Sequence, residues 1–238
     1  MIAEHLSAFR DLVSTIIEIK LSDTQLEQFS LYGDLLVEWN EKMNLTSITD
    51  PQEIIVKHFL DSLTLTPWVQ GDKVVDIGTG AGFPGVPLKI FYNDKSFTLV
   101  DSLAKRLDFL QAVIMKLNLD CVTTIHTRAE DFGRNPQYRG QFDTVVSRAV
   151  ARLPVLLEYA LPVLNAGGVF LAAKGSQAED EVKESANALE VLGAQVIDIK
   201  KFNLGEEAEH RSIIIIKKIK ETPRQYPRKA GTPAKNPL

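Results

Sequence analysis

The chain has 238 residues, 45% of them hydrophobic and 24% charged, with a net charge of −4. That length fills one core to near its upper size, so one main domain with an extension is expected. No run of about 18 apolar residues occurs, and the start Met1-Ile2-Ala3-Glu4-His5 lacks the basic residues and cleavage site of an export signal; a cytoplasmic protein with no membrane partner is predicted.

Residues 1–70 read as helices. A first helical stretch from Ile2 to Ile19 is followed by Ser22-Asp23-Thr24-Gln25, a capping-box pattern that opens an amphipathic run through Leu26, Phe29, Leu35, Leu36 and Trp39. Asn40 to Thr49 reads as a loop. Asp50-Pro51-Gln52-Glu53 then supplies a capping acid and a proline at the first helical position, starting a third helix that runs to about Trp68.

From Lys73 short apolar runs alternate with helical patterns, which predicts parallel strands joined by crossover helices. The predicted strands are Lys73 to Ile77, Phe97 to Val100, Val122 to Ile125, Phe142 to Val146 and Gly168 to Ala173. Helices are predicted over Ala104 to Leu117, Leu153 to Leu164 and Glu179 to Leu192. Two last strands, Gln195 to Lys200 and Arg211 to Ile216, are separated by the polar loop Phe202 to His210 with no helix between them, so they form an antiparallel closing pair. This α/β arrangement resembles the seven-stranded, Rossmann-like class I methyltransferase fold, whereas a dinucleotide fold uses six parallel strands. The expected division is a helical extension over 1–70, a cofactor-binding domain over 71–216 and a flexible basic tail over 217–238.

The tail carries seven Lys/Arg (Lys217, Lys218, Lys220, Arg224, Arg228, Lys229, Lys235) against Glu221 alone; its +6 leaves −10 on the rest of a chain totalling −4. Basic tails release counterions condensed on phosphates, so this one reads either as an RNA contact or as a solvated solubility tail. If it contacts RNA, its removal is expected to weaken RNA binding and leave cofactor binding intact.

The first strand ends in Asp76-Ile77-Gly78-Thr79-Gly80-Ala81-Gly82. Glycines let a backbone turn sharply and let a ligand approach closely. Gly80, Gly82 and Gly85 also match the dinucleotide spacing, which would put a pyrophosphate at a helix N-terminus. Asp76 tips the balance, because a carboxylate there repels a pyrophosphate but favours the ammonium and sulfonium of S-adenosylmethionine. Asp101, 25 residues after Asp76, ends the second strand where either fold uses an acid on ribose hydroxyls. Phe83 is placed on the pocket wall, and Ala129-Glu130 after the third strand is expected to face the adenine. A nicotinamide-dependent oxidoreductase remains the alternative reading.

After the fourth strand the chain reads Ser147-Arg148-Ala149, without the Asn/Asp-Pro-Pro-aromatic pattern common where an exocyclic amine is methylated. Cys121, the only cysteine, excludes an internal disulfide, lies at the wrong end of its strand for pyrimidine C5 chemistry, and reads as a core residue. With four scattered histidines it offers no metal-ligand spacing, so no metal is expected. A ring nitrogen such as guanine N7 needs alignment more than a base. Arg148 is expected to grip the methionine carboxylate, and Lys174 is a weak catalytic candidate or a plain surface charge. His58 and Asp61 share a face of the third helix with Asn44-Leu45-Thr46 nearby; His58 reads as a second weak catalytic candidate at the substrate mouth or as a satisfied structural residue.

Met43-Asn44-Leu45-Thr46, Lys57-His58-Phe59-Leu60-Asp61-Ser62, the Asp76 to Gly85 loop, Ser147-Arg148-Ala149 and Tyr226-Pro227-Arg228-Lys229-Ala230-Gly231-Thr232-Pro233 together resemble the bacterial small-subunit rRNA guanine-N7 methyltransferases, also called glucose-inhibited division protein B. The resemblance implies methylation of a guanine in the 530 loop of 16S rRNA, with rRNA or the small ribosomal subunit as partner; a monomer is expected. It places Gly78, Phe83, Ala129, Glu130 and Arg148 on the cofactor, and makes Asn44, Lys57, Arg224, Arg228 and Lys229 RNA-binding candidates. Lys57 departs from the arginine common before this histidine and so loses a bidentate phosphate contact. A non-catalytic ribosome assembly factor is the further alternative.

Overall fold

The structure, a computed structural model, describes residues 2–204 and 210–238. Its centre is one seven-stranded sheet in the order β3-β2-β1-β4-β5-β7-β6. The strands are β1 (Lys73–Ile77), β2 (Ser96–Asp101), β3 (Val122–His126), β4 (Phe142–Arg148), β5 (Leu164–Lys174), β6 (Ala194–Asn203) and β7 (His210–Lys218). β1 to β5 pair in parallel, and β7 runs antiparallel between β5 and β6. The middle of the loop expected from Phe202 to His210 lies outside the described residues.

Period-two alternation explains why these strands must be covered on both faces. Val75, Ile77, Val145, Phe170, Ile214 and Ile216 join one buried cluster with α8 (Leu153–Ala160) and α10 (Ala186–Leu192). Val74, Val146, Val169, Leu171, Ile213 and Ile215 point the other way, toward Leu65, in the chain leading to β1, and Leu88, in the helix that follows it. A third cluster ties the N-terminal helices to α5 (Gly85–Phe91) and α6 (Ala104–Lys116).

The N-terminal layer consists of a 3₁₀ turn (Ile2–His5), α1 (Leu6–Ile16) and α2 (Asp23–Met43). The capping box at the start of α2 forms as predicted: Gln25 N donates to Ser22 Oγ at 3.2 Å and Ser22 N to Gln25 Oε1 at 2.9 Å. The helix continues four residues into the expected loop and stops at Asn44, in the left-handed conformation with φ 31°. The Asn40 side chain folds the turn by accepting from Leu45 N and Thr46 N. Asp50 caps the next helical stretch, which has an α-turn α3 (Pro51–Glu53), a seven-residue π-helix (Ile54–Leu60) and α4 (Asp61–Leu63), then a 3₁₀ turn (Thr66–Trp68). π segments recur at functional sites because they re-aim side chains, and this one carries Lys57 and His58.

Short helices α7 (Ala129–Arg134) and α11 (Thr232–Lys235) were not readable as periodic segments, being one or two turns long. The helix predicted over Glu179 to Leu192 is split into α9 (Ala178–Glu184) and α10 at Ser185, whose hydroxyl donates to Glu181 O at 2.6 Å. Cys121, expected in the core, is exposed, because it turns the chain into β3 with φ 55°.

The tail, expected to be flexible, is fastened to the domain. Arg139 donates to the carbonyls of Thr222 and Tyr226, both at 2.7 Å. The Arg228 guanidinium and backbone N–H are held by the buried Glu158 carboxylate. Lys218 is buried too, donating to Leu161 O at 2.8 Å, and burial pushes its pKa down to about 8. Part of the tail's positive charge is therefore used internally. No helix among the described residues is long and apolar enough to cross a membrane, and none of their His, Cys, Asp and Glu side chains gather in threes to hold a metal.

Candidate active site

Parallel strands bring their C-terminal ends to one edge, so Gly78, Asp101, Ala129, Arg148 and Lys174 are neighbours there despite their separation in sequence. β1 is buried after Lys73 and must turn at once to reach α5. Gly82, at φ 99°, turns under the N-terminal layer: a Cβ there would lie 2.6 Å from Tyr32 Oη. Gly80, at φ 60°, faces open space, where a Cβ would meet nothing nearer than Gly78 O at 4.0 Å. Tyr32 holds the loop from beneath by donating to Ala81 O.

Asp76 is fully buried beneath this loop rather than at its mouth. Its Oδ2 accepts from Thr79 Oγ1 at 2.8 Å and Gly85 N at 2.9 Å, while Oδ1 has no partner among the described residues. Desolvation raises its pKa to about 7 against the lowering effect of those two bonds and of Arg148. The Gly85 N–H, which the dinucleotide spacing would offer to a pyrophosphate, is thus already taken by a carboxylate.

Beside the loop lies a cavity of about 510 Å³, lined by Gly78, Asp101, Arg106, Ala129, Glu130 and Tyr159 among others. Asp101 is buried; Oδ2 accepts from Gly80 N at 2.9 Å and Arg106 Nη1 at 3.3 Å, and Oδ1 from Leu103 N at 2.9 Å. Glu130 Oε1 accepts from Gly231 N at 2.7 Å and Tyr159 Oη at 3.4 Å. Burial, then Glu130, pushes the Tyr159 hydroxyl up to about 12, so it remains a donor.

A second cavity, of about 330 Å³, is lined by Lys57, His58, Asp61, Arg148, Lys174 and Arg211. Ala149 lines both cavities and sits at φ 56°, a strained conformation for a residue with a Cβ, at the junction between them. The Arg148 side chain does not enter the first cavity. Its Nη1 donates to Asp61 Oδ2 at 2.7 Å and Lys57 O at 3.1 Å, Nη2 lies 3.3 Å from His58 Nδ1, and the guanidinium covers the Phe83 ring at 5.0 Å. In this arrangement Arg148 is paired with Asp61, which Arg211 also approaches at 3.4 Å.

Phe83 forms the wall between loop and N-terminal layer, stacked on His58 at 4.4 Å and near Tyr32 at 5.3 Å. Neither weak catalytic candidate is a free acid or base. His58 Nε2 is 2.9 Å from Thr46 Oγ1, and desolvation followed by Arg148 pushes its pKa down to about 3, keeping the ring neutral. Lys174 donates to Glu181 Oε2 and Ala151 O, both at 2.7 Å, and burial lowers its pKa.

The RNA-binding candidates scatter. Asn44 lines a groove with Lys42, Leu103, Lys105 and Arg106 beside the first cavity. Lys57 lies on the second cavity and pairs with Glu53 at 2.6 Å. Arg224 and Lys229 are exposed on the tail, whereas Arg228 is committed to Glu158. Sequence reasoning missed Arg106, Tyr159, Arg211 and Gly231, which only strand order and tail docking bring to the site.

The strand order, the antiparallel β7 and a glycine loop after β1 facing an acid at the end of β2 define a class I methyltransferase fold. Solved structures agree on the fold: M. jannaschii TYW2 in complex with AdoMet aligns with a TM-score of 0.55 at 17% identity, covering 73% of this chain and 80% of that one. NSun6 from Pyrococcus horikoshii with SFG aligns at 0.53 and 13%, covering 68% and 51%. The family described as GidB, rRNA small subunit methyltransferase G, matches residues 25–213, and the chain belongs to it. It is 63% identical over 238 residues, all of both chains, to the ribosomal RNA small subunit methyltransferase G of Desulfitobacterium hafniense. The Acetivibrio thermocellus protein of the same name is 50% identical over 222 residues, 92% of this chain and 91% of the other.

Proposed function

We propose that this chain transfers a methyl group from S-adenosylmethionine to N7 of a guanine in the 530 loop of 16S rRNA, working in the cytoplasm as a monomer on rRNA or the small ribosomal subunit. The observation that carries this reading is the pair of cavities meeting at Ala149, one lined by the carboxylates of Asp101 and Glu130 beside Arg106 and Arg128, the other by Lys57, Arg148, Lys174 and Arg211 around Asp61. Family membership supports the small-subunit rRNA substrate.

The residues present fit the cofactor. Gly80 leaves the loop open to close approach, and Asp101 and Glu130 line the first cavity with carboxylate oxygens. Asp101, Ala129 and Glu130 would hold the nucleoside end. Gly78, Gly80 and Gly82 would shape the loop, and Phe83 and Arg148 the end toward the second cavity. S-adenosylmethionine supplies, when bound, a methyl group made electrophilic by its sulfonium.

Guanine N7 carries its own lone pair, so the chain has to align it rather than deprotonate it. Alignment converts a bimolecular step into an effectively unimolecular one, worth up to roughly 7–11 kcal/mol in well-oriented systems. Lys57, Arg148, Lys174 and Arg211 surround the second cavity with donors suited to guanine O6 or phosphate. His58, neutral and stacked on Phe83, stiffens the wall between the glycine loop and the N-terminal layer.

Calorimetry with S-adenosylhomocysteine and with NADH tests the cofactor; saturation by S-adenosylhomocysteine alone is expected, and saturation by NADH would overturn the reading. Incubation with methyl-labelled cofactor and unmodified 16S rRNA or small subunits tests the transfer. Label on guanine N7 is expected. Label on protein or on an exocyclic amine would overturn it, and cofactor binding without turnover on any rRNA substrate would leave a non-catalytic assembly factor in its place.

A further inference from the structure

The basic tail, which the sequence offers either as an RNA contact or as a solvated arm, also forms part of the wall of the first cavity. Gly231 lines that cavity, and its backbone N–H donates to Glu130 Oε1 at 2.7 Å. Gly231 is at φ 80° and a Cβ there would meet nothing within 4 Å, so the backbone alone makes the contact. Three residues earlier, Arg228 is locked to the buried Glu158 of α8 through its backbone N–H, Nε and Nη2. Pro227 packs on α7, where a Cβ on Gly133 would lie 2.9 Å from Pro227 Cγ. α7 and α8 are the helices that carry Glu130 and Tyr159, the other lining residues on this side.

We propose that residues 226–231 are a positioning strap for the nucleoside end of the cofactor cavity, fixing the Glu130 carboxylate through the Gly231 N–H with the Arg228–Glu158 pair as its anchor. Glu130 Oε1 is occupied by the tail and by Tyr159. Oε2 takes no hydrogen bond among the described residues, which leaves it to a donor in the cavity: an exocyclic amine or a ribose hydroxyl. Without the strap the carboxylate loses its charge-assisted backbone bond and is free to leave that orientation. Arg228 acts through Glu130 and is a positioning residue. The inference rests on the first cavity being the nucleoside site.

Reciprocity gives the test its form. If the strap acts through Glu130, tail and carboxylate share one contribution to affinity, and removing the second after the first has no further effect. Calorimetric affinity for S-adenosylhomocysteine is measured for the full chain, Arg228→Ala, a chain ending at Lys220, Glu130→Ala, and Glu130→Ala with Arg228→Ala, with far-UV circular dichroism confirming folded protein. Arg228→Ala and the shortened chain are expected to bind at least about tenfold more weakly, and the double variant no more weakly than Glu130→Ala alone. Unchanged affinity in folded Arg228→Ala would overturn the strap, as would losses that simply add in the double variant. Should the shortened chain not fold, the Arg228→Ala cycle decides alone. A full chain that fails to bind S-adenosylhomocysteine would overturn the nucleoside reading itself, a different result from binding that ignores the tail.

Discussion

Asp76 and His58 are buried titratable groups whose shifts tilt stability in opposite directions. Asp76, raised to about 7, keeps its proton in the folded chain at pH values where the unfolded chain has lost it. Stability therefore falls as pH rises from about 4 to about 7, by up to about 1.4 kcal/mol per unit. His58, lowered to about 3, stays neutral where an unfolded histidine binds a proton, so stability falls as pH drops from about 6.5 toward 3. Between about 4 and 6.5 the two slopes oppose. Denaturant unfolding across that window should show stability rising with pH in Asp76→Asn and falling with pH in His58→Asn, relative to the parent; parallel profiles for all three would refute the assignment. Arg148→Ala removes one partner of a pair whose side chains are 15% and 5% exposed, leaving Arg211, at 3.4 Å, as the cation beside Asp61 among the described residues. A loss on the order of 3 kcal/mol in unfolding free energy is expected. Methyl transfer should fall further than S-adenosylhomocysteine affinity, and the reverse ordering would return Arg148 to a purely cofactor-gripping role.

At the scale of elements, the glycine loop separates two kinds of constraint. Gly82→Ala forces a Cβ against Tyr32 in a left-handed conformation and should destabilise the fold. Gly80→Val projects into open space, so its stability cost is limited to the backbone penalty of about 1–2 kcal/mol, and cofactor affinity is the property that suffers. Equal effects of both on affinity at equal stability would contradict that division. Strands β1 to β7 and the capping box of α2 were legible in the sequence because period and cap chemistry are local. The strap was not, because a tail rich in Lys and Arg looks like a solvated arm until Glu158, 70 residues away, is placed beneath Arg228. The burial of Asp76, expected from the sequence to face the cofactor's cations, was not legible for a similar reason: position along a strand predicts the end of the sheet but not whether the carboxylate turns outward or under the loop. The π-helix left no periodic trace either, since seven residues of wider turn resemble a slightly irregular amphipathic helix.

For the molecule as a whole, charge is distributed by use. The chain totals −4, yet Lys57, Arg148, Lys174 and Arg211 gather on one cavity, and Lys42, Lys105 and Arg106 lie in the groove beside the other. A cation-lined opening within an acidic body favours a folded substrate presented locally over long stretches of free strand. The N-terminal helices and the tail grip the sheet from opposite sides, through Tyr32 and Phe83 on one and through Arg228 and Gly231 on the other, so both ends of the sequence help to shape one site. The central claim, transfer to guanine N7, has a direct chemical readout: N7-methylguanine is reducible and then opens the strand to aniline. After incubation of unmodified small subunits with the protein and S-adenosylmethionine, reduction and aniline treatment should cut 16S rRNA at one guanine in the 530 loop. Intact rRNA in the presence of transferred methyl label, or cleavage at another site, would contradict it.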